Sequence, residues 1–261
     1  MNHQKIAIIG TGNLATHLAR NVEKAGFRVS EVYGRNKSKA HVIANQLYDS
    51  NAVNHLDFSN SKAKLFFLCV SDSAIEEVAK EIIVPENSIL VHCSGATSIK
   101  TIAKKNVEYG VFYPIQTFSQ KRKISFEGLK ICIEASNVAA EDVLEALTKK
   151  MGSIPCFMSS EQRMVLHLSA VFACNFSNHF FRIAQELLQK EGLPFSLLQQ
   201  LTQETINKSF ELGPDKSQTG PAVREDYFTM GEHEALLSNQ PEWKDLYLQV
   251  SEDIIRVKNS N

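Results

Sequence analysis

The chain reads as an α/β protein, a Rossmann-type doubly wound and mainly parallel sheet followed by an all-helical C-terminal domain. Three observations predict this. Short apolar runs alternate with amphipathic helical text up to about residue 155. A glycine-rich turn, Gly10-Thr11-Gly12, joins the first of those runs to the first helix. No strand pattern returns after Pro155.

Lys5 to Ile9 is a buried strand, and the helix after it runs to Ala25 and stops at Gly26. Val29 to Tyr33 is a second strand, followed by a helix over 38–47. Leu65 to Val70 is a strongly apolar strand, and Asp72 caps a helix running to about Ile83. Ser88 to His92, Tyr109 to Phe112 and Leu129 to Glu134 are further strands, with helices between them. Such alternation specifies a parallel sheet covered on both faces. Beyond Pro155, Ser159-Ser160-Glu161-Gln162 offers a capping box for a long helix reaching roughly Lys190, ended by Gly192 and Pro194. Further helical text covers 196–211, 226–237 and 242–257. The boundary is expected near residue 157, giving a Rossmann-type domain over 1–157 and a helical domain over 158–261.

Composition narrows the function classes. Hydrophobic residues make up 43% and charged residues 22%, ordinary globular usage. With 28 Lys+Arg against 29 Asp+Glu, there is no electrostatic case for nucleic acid or an anionic membrane. The run from Leu65 to Val70 is far shorter than a membrane span. Met1-Asn2-His3-Gln4-Lys5 leads directly into Ile6 to Ile9, too short for a signal-peptide core. Cys69, Cys93, Cys132, Cys156 and Cys174 show neither CxxC nor metal-ligand spacing, so reduced thiols, no metal and a cytoplasmic location are expected.

The chemistry-bearing residues lie at strand ends, where doubly wound sheets bind ligands. Gly10-Thr11-Gly12-Asn13-Leu14-Ala15 is the GxGxxA form of the dinucleotide fingerprint. Gly10 permits the tight turn, Gly12 admits a pyrophosphate, and Ala15 allows close packing of helix on strand. The alternative is a turn that merely packs well. An NAD site usually carries Asp or Glu at the end of the second strand, whereas this chain has Tyr33-Gly34-Arg35-Asn36-Lys37-Ser38. Arg35 can fork onto a phosphate, with Asn36, Ser38 and local amides adding bonds, so NADP(H) is favoured over NAD(H). A solvated basic loop is the plainer alternative. Val70 and Ser71 should border the cofactor ribose, with Asp72 serving its helix. His92-Cys93-Ser94-Gly95-Ala96 follows the next strand, where Gly95 permits close approach and Ser94 is placed for nicotinamide or substrate. Cys93 and His92 face opposite sides of their strand, which rules against a nucleophilic pair. Gln116, after Tyr113-Pro114, is a further ligand-facing candidate.

On the long helix, His167, Val171, Cys174, Asn178 and Arg182 fall on one stripe, with Asn175 beside it. His167 and Asn175 are candidate donors to a C=O or C=N being reduced; a buried polar seam is the alternative. In Thr219-Gly220-Pro221-Ala222-Val223-Arg224-Glu225-Asp226, helix amides and Arg224 suit a carboxylate, and His233 shares a face with Asp226. An Arg224–Asp226 ion pair organising a turn is the alternative.

Taken in order, the glycine turn, His92 to Ala96, Pro114-Ile115-Gln116-Thr117-Phe118, His167 to Asn175 and Thr219-Gly220-Pro221…Arg224…Asp226 resemble the Rossmann-like NADP oxidoreductases with a helical C-terminal domain of unassigned function. That group is related to pyrroline carboxylate reductase, ketopantoate reductase and phosphogluconate dehydrogenase-like enzymes. The resemblance implies an NADP-dependent reductase with its active site in the cleft between domains, and a homodimer formed through the helices. It carries the cofactor role to Gly10, Gly12 and Arg35, and makes Ser94, Gly95, Asn175 and Arg224 cleft candidates. Three departures stand out. Tyr113 replaces a histidine expected before Pro114, Glu225 replaces an expected glycine, and Val171 stands where the hydroxyacid dehydrogenases place a lysine four before Asn175.

The expectation is therefore an NADP(H)-dependent oxidoreductase acting on a small carboxylate-bearing carbonyl or imine. Arg224 would hold the carboxylate, and His167 or Asn175 would donate the proton. A non-catalytic dinucleotide-binding sensor or scaffold is the rival, motivated by the missing lysine. A deazaflavin-dependent relative is a third reading.

Overall fold

The computed structural model describes residues 5–119 and 122–260. The stretch Met1 to Gln4, read above as leading into the first strand, lies outside the described residues. Eight strands form one sheet: β1 (Lys5–Ile9), β2 (Arg28–Tyr33), β3 (Asn51–Val53), β4 (Leu65–Leu68), β5 (Ile89–His92), β6 (Glu108–Pro114), β7 (Lys130–Ala135) and β8 (Ile154–Phe157). Their order is β3-β2-β1-β4-β5-β6-β7-β8, parallel throughout except between β6 and β7. Strand order reverses between β1 and β4, where open α/β sheets form their ligand crevice.

The sheet is covered by α1 (Asn13–Lys24), α2 (Lys37–Ala44), α3 (Asp72–Glu81) and α4 (Val138–Lys150). Period-two alternation explains the two cores. Ile6, Ile8, Leu65 and Phe67 enter one buried cluster, while Ala7, Ile9, Phe66 and Leu68 enter the other. All four residues of β4 are buried, as a strand with helices on both faces requires.

The connections differ from expectation in three places. Residues 93–107 carry only a 3₁₀ turn (Ile99–Ile102), and the described part of 115–129 carries no helix. Without a crossover helix, β7 returns antiparallel to β6. Asp72 does not cap α3; Ser71 occupies the N-cap position and makes no side-chain cap bond. The edge strands β3 and β8 are short, and Pro155 in β8 is tolerated because an edge strand leaves one row of groups unpaired.

The chain divides into two compact units, Met1–Val171 and Phe172–Asn261. Strand text ends at Phe157, but the first unit continues through α5 (Ser160–Ala170), whose capping box between Ser159 and Gln162 forms as predicted. A π-helical segment (Val171–Phe176) follows, then α6 (Ser177–Lys190). The helical unit continues with a 3₁₀ turn (Phe195–Leu198), α7 (Gln199–Leu212), α8 (Pro214–Ser217), α9 (Pro221–Arg224), α10 (Tyr227–Leu236) and α11 (Pro241–Lys258). The wider π turn breaks the 3.6-residue spacing, so the single stripe expected from His167 to Arg182 is interrupted at residues 171–176.

Candidate active site

The glycine turn leaves β1 at Gly10, whose amide donates to the Tyr33 carbonyl at 2.9 Å. Its φ is +130°, and a Cβ there would overlap the Cys69 carbonyl group. Only glycine fits. At Gly12 an added Cβ meets nothing within 4 Å, so the backbone faces open space. Gly12 is the N-cap of α1, no side chain caps that helix, and its first turn holds no carboxylate. The amides and positive dipole end of α1 therefore remain available to an anion. Ala15 is fully buried beneath them.

A cleft of about 410 Å³ opens above this turn. Gly10, Thr11, Gly12, Arg35, Asn36, Val70 and Ser71 all line it, with Lys39 and the α3 residue Glu77. Gly34 was not foreseen: a Cβ there would lie 2.7 Å from Thr11 Cγ2, so glycine lets the end of β2 close onto the turn. Asn13 and Leu14 serve the scaffold. Asn13 Nδ2 donates to the Phe118 carbonyl at 2.9 Å, and Leu14 packs on the core.

After β2, the Asn36 side chain caps α2 by accepting from the Ser38 and Lys39 amides at 3.0 and 3.3 Å. Those amides are thereby spent. A phosphate at this edge can still meet the side chains of Arg35 and Ser38, both exposed, and of Lys39.

A second cluster forms where β5, β6 and α5 meet. Ser94 Oγ accepts from the Ala96 and Thr97 amides, each at 3.0 Å, and so shapes its own loop. Gly95 is required by its neighbours: an added Cβ would lie 2.7 Å from His167 Nδ1 and 2.9 Å from Tyr113 Cζ. Tyr113 Oη and His167 Nδ1 are hydrogen-bonded at 3.2 Å, with their rings edge to face. Beneath them, His92 Nδ1 accepts from the Ser94 amide at 3.2 Å. Burial, with help from the nearby Arg163 guanidinium, pushes the His92 pKa down to about 3 against the pull of the Ser98 carbonyl. His92 is therefore neutral at physiological pH. Gln116 Oε1 accepts from its neighbour's amide, Thr117, at 2.8 Å and stays exposed.

In the helical unit, Asn175 is exposed on the π segment. Arg224 ends α9, is exposed, and forms no ion pair among the described residues. Asp226 caps α10 by accepting from the Thr229 amide at 3.1 Å and its hydroxyl at 2.8 Å, which lowers its pKa. His233 does not pair with that carboxylate; its Nδ1 is 3.0 Å from Tyr247 Oη. Glu225 has φ +56°, which accounts for the glycine expected there.

Sequence reasoning missed Tyr113 as a partner of His167 and the buried Arg163–Glu134 ion pair. Tyr113 was visible only as a departure at a strand end. Arg163 carried no motif signal, since an arginine in a helix is usually a solvated one.

Comparisons with known proteins agree with this architecture. Residues 5–95 match the family model described as NADP oxidoreductase, coenzyme F420-dependent, and residues 129–254 match a domain of unknown function, DUF2520. The crystal structure of a candidate NADP oxidoreductase from Bacteroides fragilis is 36% identical, with a TM-score of 0.88 over 97% of this chain and 98% of that one. A reductive aminase from Aspergillus terreus, solved with NADPH and ethyl-5-oxohexanoate, shares the fold at 15% identity and a TM-score of 0.75, covering 100% of this chain and 95% of that one. An imine reductase from Pseudomonas sp. does so at 16% identity and a TM-score of 0.70, covering 96% and 93% respectively. No curated protein matches.

Proposed function

Because this chain belongs to the family of Rossmann-type NADP oxidoreductases that carry a DUF2520 C-terminal domain, we propose that it is an NADP(H)-dependent reductase of a small carboxylate-bearing carbonyl or imine. One observation carries the cofactor reading: the uncapped first turn of α1 beneath the open backbone of Gly12. A diphosphate fits there because the amides point at it, the first turn of α1 holds no carboxylate, and no side chain fills the space at Gly12. Arg35 and Lys39 supply the positive charge for a 2′-phosphate at the far edge of the cleft.

Bound NADPH supplies the hydride. The chain's own task is to deliver a proton and hold the substrate. His167 is the proposed donor, kept in one orientation by Tyr113 and by the bare backbone of Gly95. Ser94 keeps its loop in the conformation that sets that backbone against the imidazole. In the helical unit, Arg224 is the proposed holder of the substrate carboxylate and Asn175 an additional donor, each being exposed. The keto ester named in the reductive aminase structure, and the imine reductase, support the inclusion of C=N substrates at the level of fold.

We also infer a homodimer through the helical unit, supported by Phe172, Phe210, Phe228 and Leu236, which are 62%, 90%, 81% and 77% exposed. A cytoplasmic setting accords with five unbridged cysteines. Light scattering should return a two-chain mass.

The function is tested by NADPH consumption across a panel of 2-keto acids, with and without ammonia or methylamine, and of cyclic imino acids. Turnover of at least one member is expected. Tight NADPH binding with no turnover anywhere in the panel would refute catalysis and favour a cofactor-dependent sensor, the reading to which Val171 in place of a lysine points. Parallel spectral titration with NADPH and the deazaflavin F420 separates the third reading, and failure of NADPH to bind would remove the first.

A further inference from the structure

Arg163 is the largest fully buried side chain among the described residues, and a buried arginine needs a reason. Its guanidinium forms an ion pair with Glu134 at the end of β7. The same group donates to the Thr97 carbonyl at 2.6 Å and to Ser160 Oγ at 3.2 Å. Ser160 Oγ in turn donates to Glu134 at 2.8 Å and accepts from the Ile99 amide at 3.0 Å. Three elements are thereby fastened together: β7, the first turn of α5, and the loop that carries Ser94 to Thr97.

The fastening has a geometric product. His167 lies four residues beyond Arg163, one helical turn along the same face of α5. Pulling α5 onto the Thr97 carbonyl brings that next turn down over Gly95, where His167 meets Tyr113 Oη at 3.2 Å. The contact at Gly95 leaves no slack, since even a methyl group there would lie 2.7 Å from the imidazole. A hydrophobic side chain of similar volume in place of Arg163 would fill the space but not fix the distance between helix and loop.

We infer that the Arg163–Glu134 pair is a positioning device that sets His167 against Tyr113 and Gly95, and so governs the turnover step without touching substrate or cofactor. This rests on the proposed role of His167 as proton donor. Lysine cannot replace the fork, because one ammonium group does not reach both Glu134 and the Thr97 carbonyl in the guanidinium's geometry.

The test is the double variant Arg163→Met with Glu134→Gln, which leaves no unpaired buried charge, alongside Arg163→Lys. Far-UV circular dichroism and NADPH fluorescence titration come first, with NADPH Kd expected within about twofold of wild type because the glycine turn is untouched. On a substrate turned over by the wild type, kcat should fall by about 10- to 100-fold in the double variant and less in Arg163→Lys, with KM nearly unchanged. The ¹⁵N shifts of the His167 imidazole should move in both variants, and in the same direction in Tyr113→Phe. A folded double variant with unchanged His167 shifts overturns the inference, as do moved shifts with wild-type kcat. If the wild type turns over nothing in the panel, the reductase reading fails by itself and the imidazole shifts alone decide the positioning.

Discussion

Gly10 and Gly12 stand two residues apart and respond to a side chain in opposite ways. Gly10→Ala forces an unfavourable φ and drives a methyl group into the Cys69 carbonyl, so it should destabilise the protein by about 3 kcal/mol or more. At Gly12 an added Cβ meets no protein atom within 4 Å, so Gly12→Val should unfold at nearly the wild-type urea midpoint, while NADPH affinity drops by about 10- to 100-fold. Equal loss of stability in both variants would contradict the assignment of Gly12 to the ligand. A third residue is set by backbone alone. Glu225→Gly relieves a left-handed conformation worth about 1 kcal/mol and forfeits only an exposed ion pair with Lys258 at 2.9 Å. A net gain of about 0.5 kcal/mol in chemical denaturation is expected, and a loss would mean the ion pair outweighs the strain. These roles were unevenly legible. The glycine fingerprint is visible because its residue types are the mechanism. Glu225 was visible only as an oddity, because a glutamate does not announce its own φ. Tyr113 was likewise legible as a substitution but not as a hydrogen-bond partner, since 54 residues separate it from His167.

Elements were read best where a local signal decides them. The capping box at Ser159 and Gln162 formed because both halves of it lie within one turn. The N-cap at Asn36 illustrates the opposite case. The loop Arg35 to Ser38 was expected to offer backbone amides to a phosphate, but the Asn36 side chain takes the Ser38 amide, with that of Lys39, in starting α2. Recognition of a 2′-phosphate at this edge then rests chiefly on side chains, of which Arg35 has the forked geometry. Arg35→Ala should weaken NADPH binding at least about tenfold, a loss of about 1.4 kcal/mol, and change NADH binding by less than about twofold. Fluorescence titration with both nucleotides checks it. Parallel losses for NADPH and NADH would remove Arg35 from the phosphate and leave it a solvated loop residue. The π segment at Val171–Phe176 was illegible for a related reason: no residue type in Val-Phe-Ala-Cys-Asn-Phe distinguishes a turn of wider pitch from an α-helical one.

At the scale of the whole molecule, the alternation of apolar runs and helices was enough to imply the sheet, because a strand buried on both faces must be covered twice. The antiparallel return of β7 was not implied, since the polar stretch before it, whose described residues carry no helix, resembles other helical text. Nor was the consequence of sealing a histidine into the junction of β5 with α5. Buried His92, with a pKa pushed down to about 3, is neutral when folded and titrates near its ordinary 6.5 when unfolded. Above pH 6.5 neither state binds the proton, so the contribution of His92 to stability is fully present. Between 6.5 and about 3 only the unfolded chain takes it up, and stability falls by about 1.4 kcal/mol for each pH unit. Carboxylates titrate in the same acid range, so the histidine must be isolated by difference. His92→Asn keeps an acceptor for the Ser94 amide and cannot titrate. Urea denaturation at pH 7 and pH 5 should therefore show the wild type losing about 2 kcal/mol more than His92→Asn over that interval. Equal losses would mean that the imidazole is protonated in the native state despite its burial and the nearby Arg163 guanidinium.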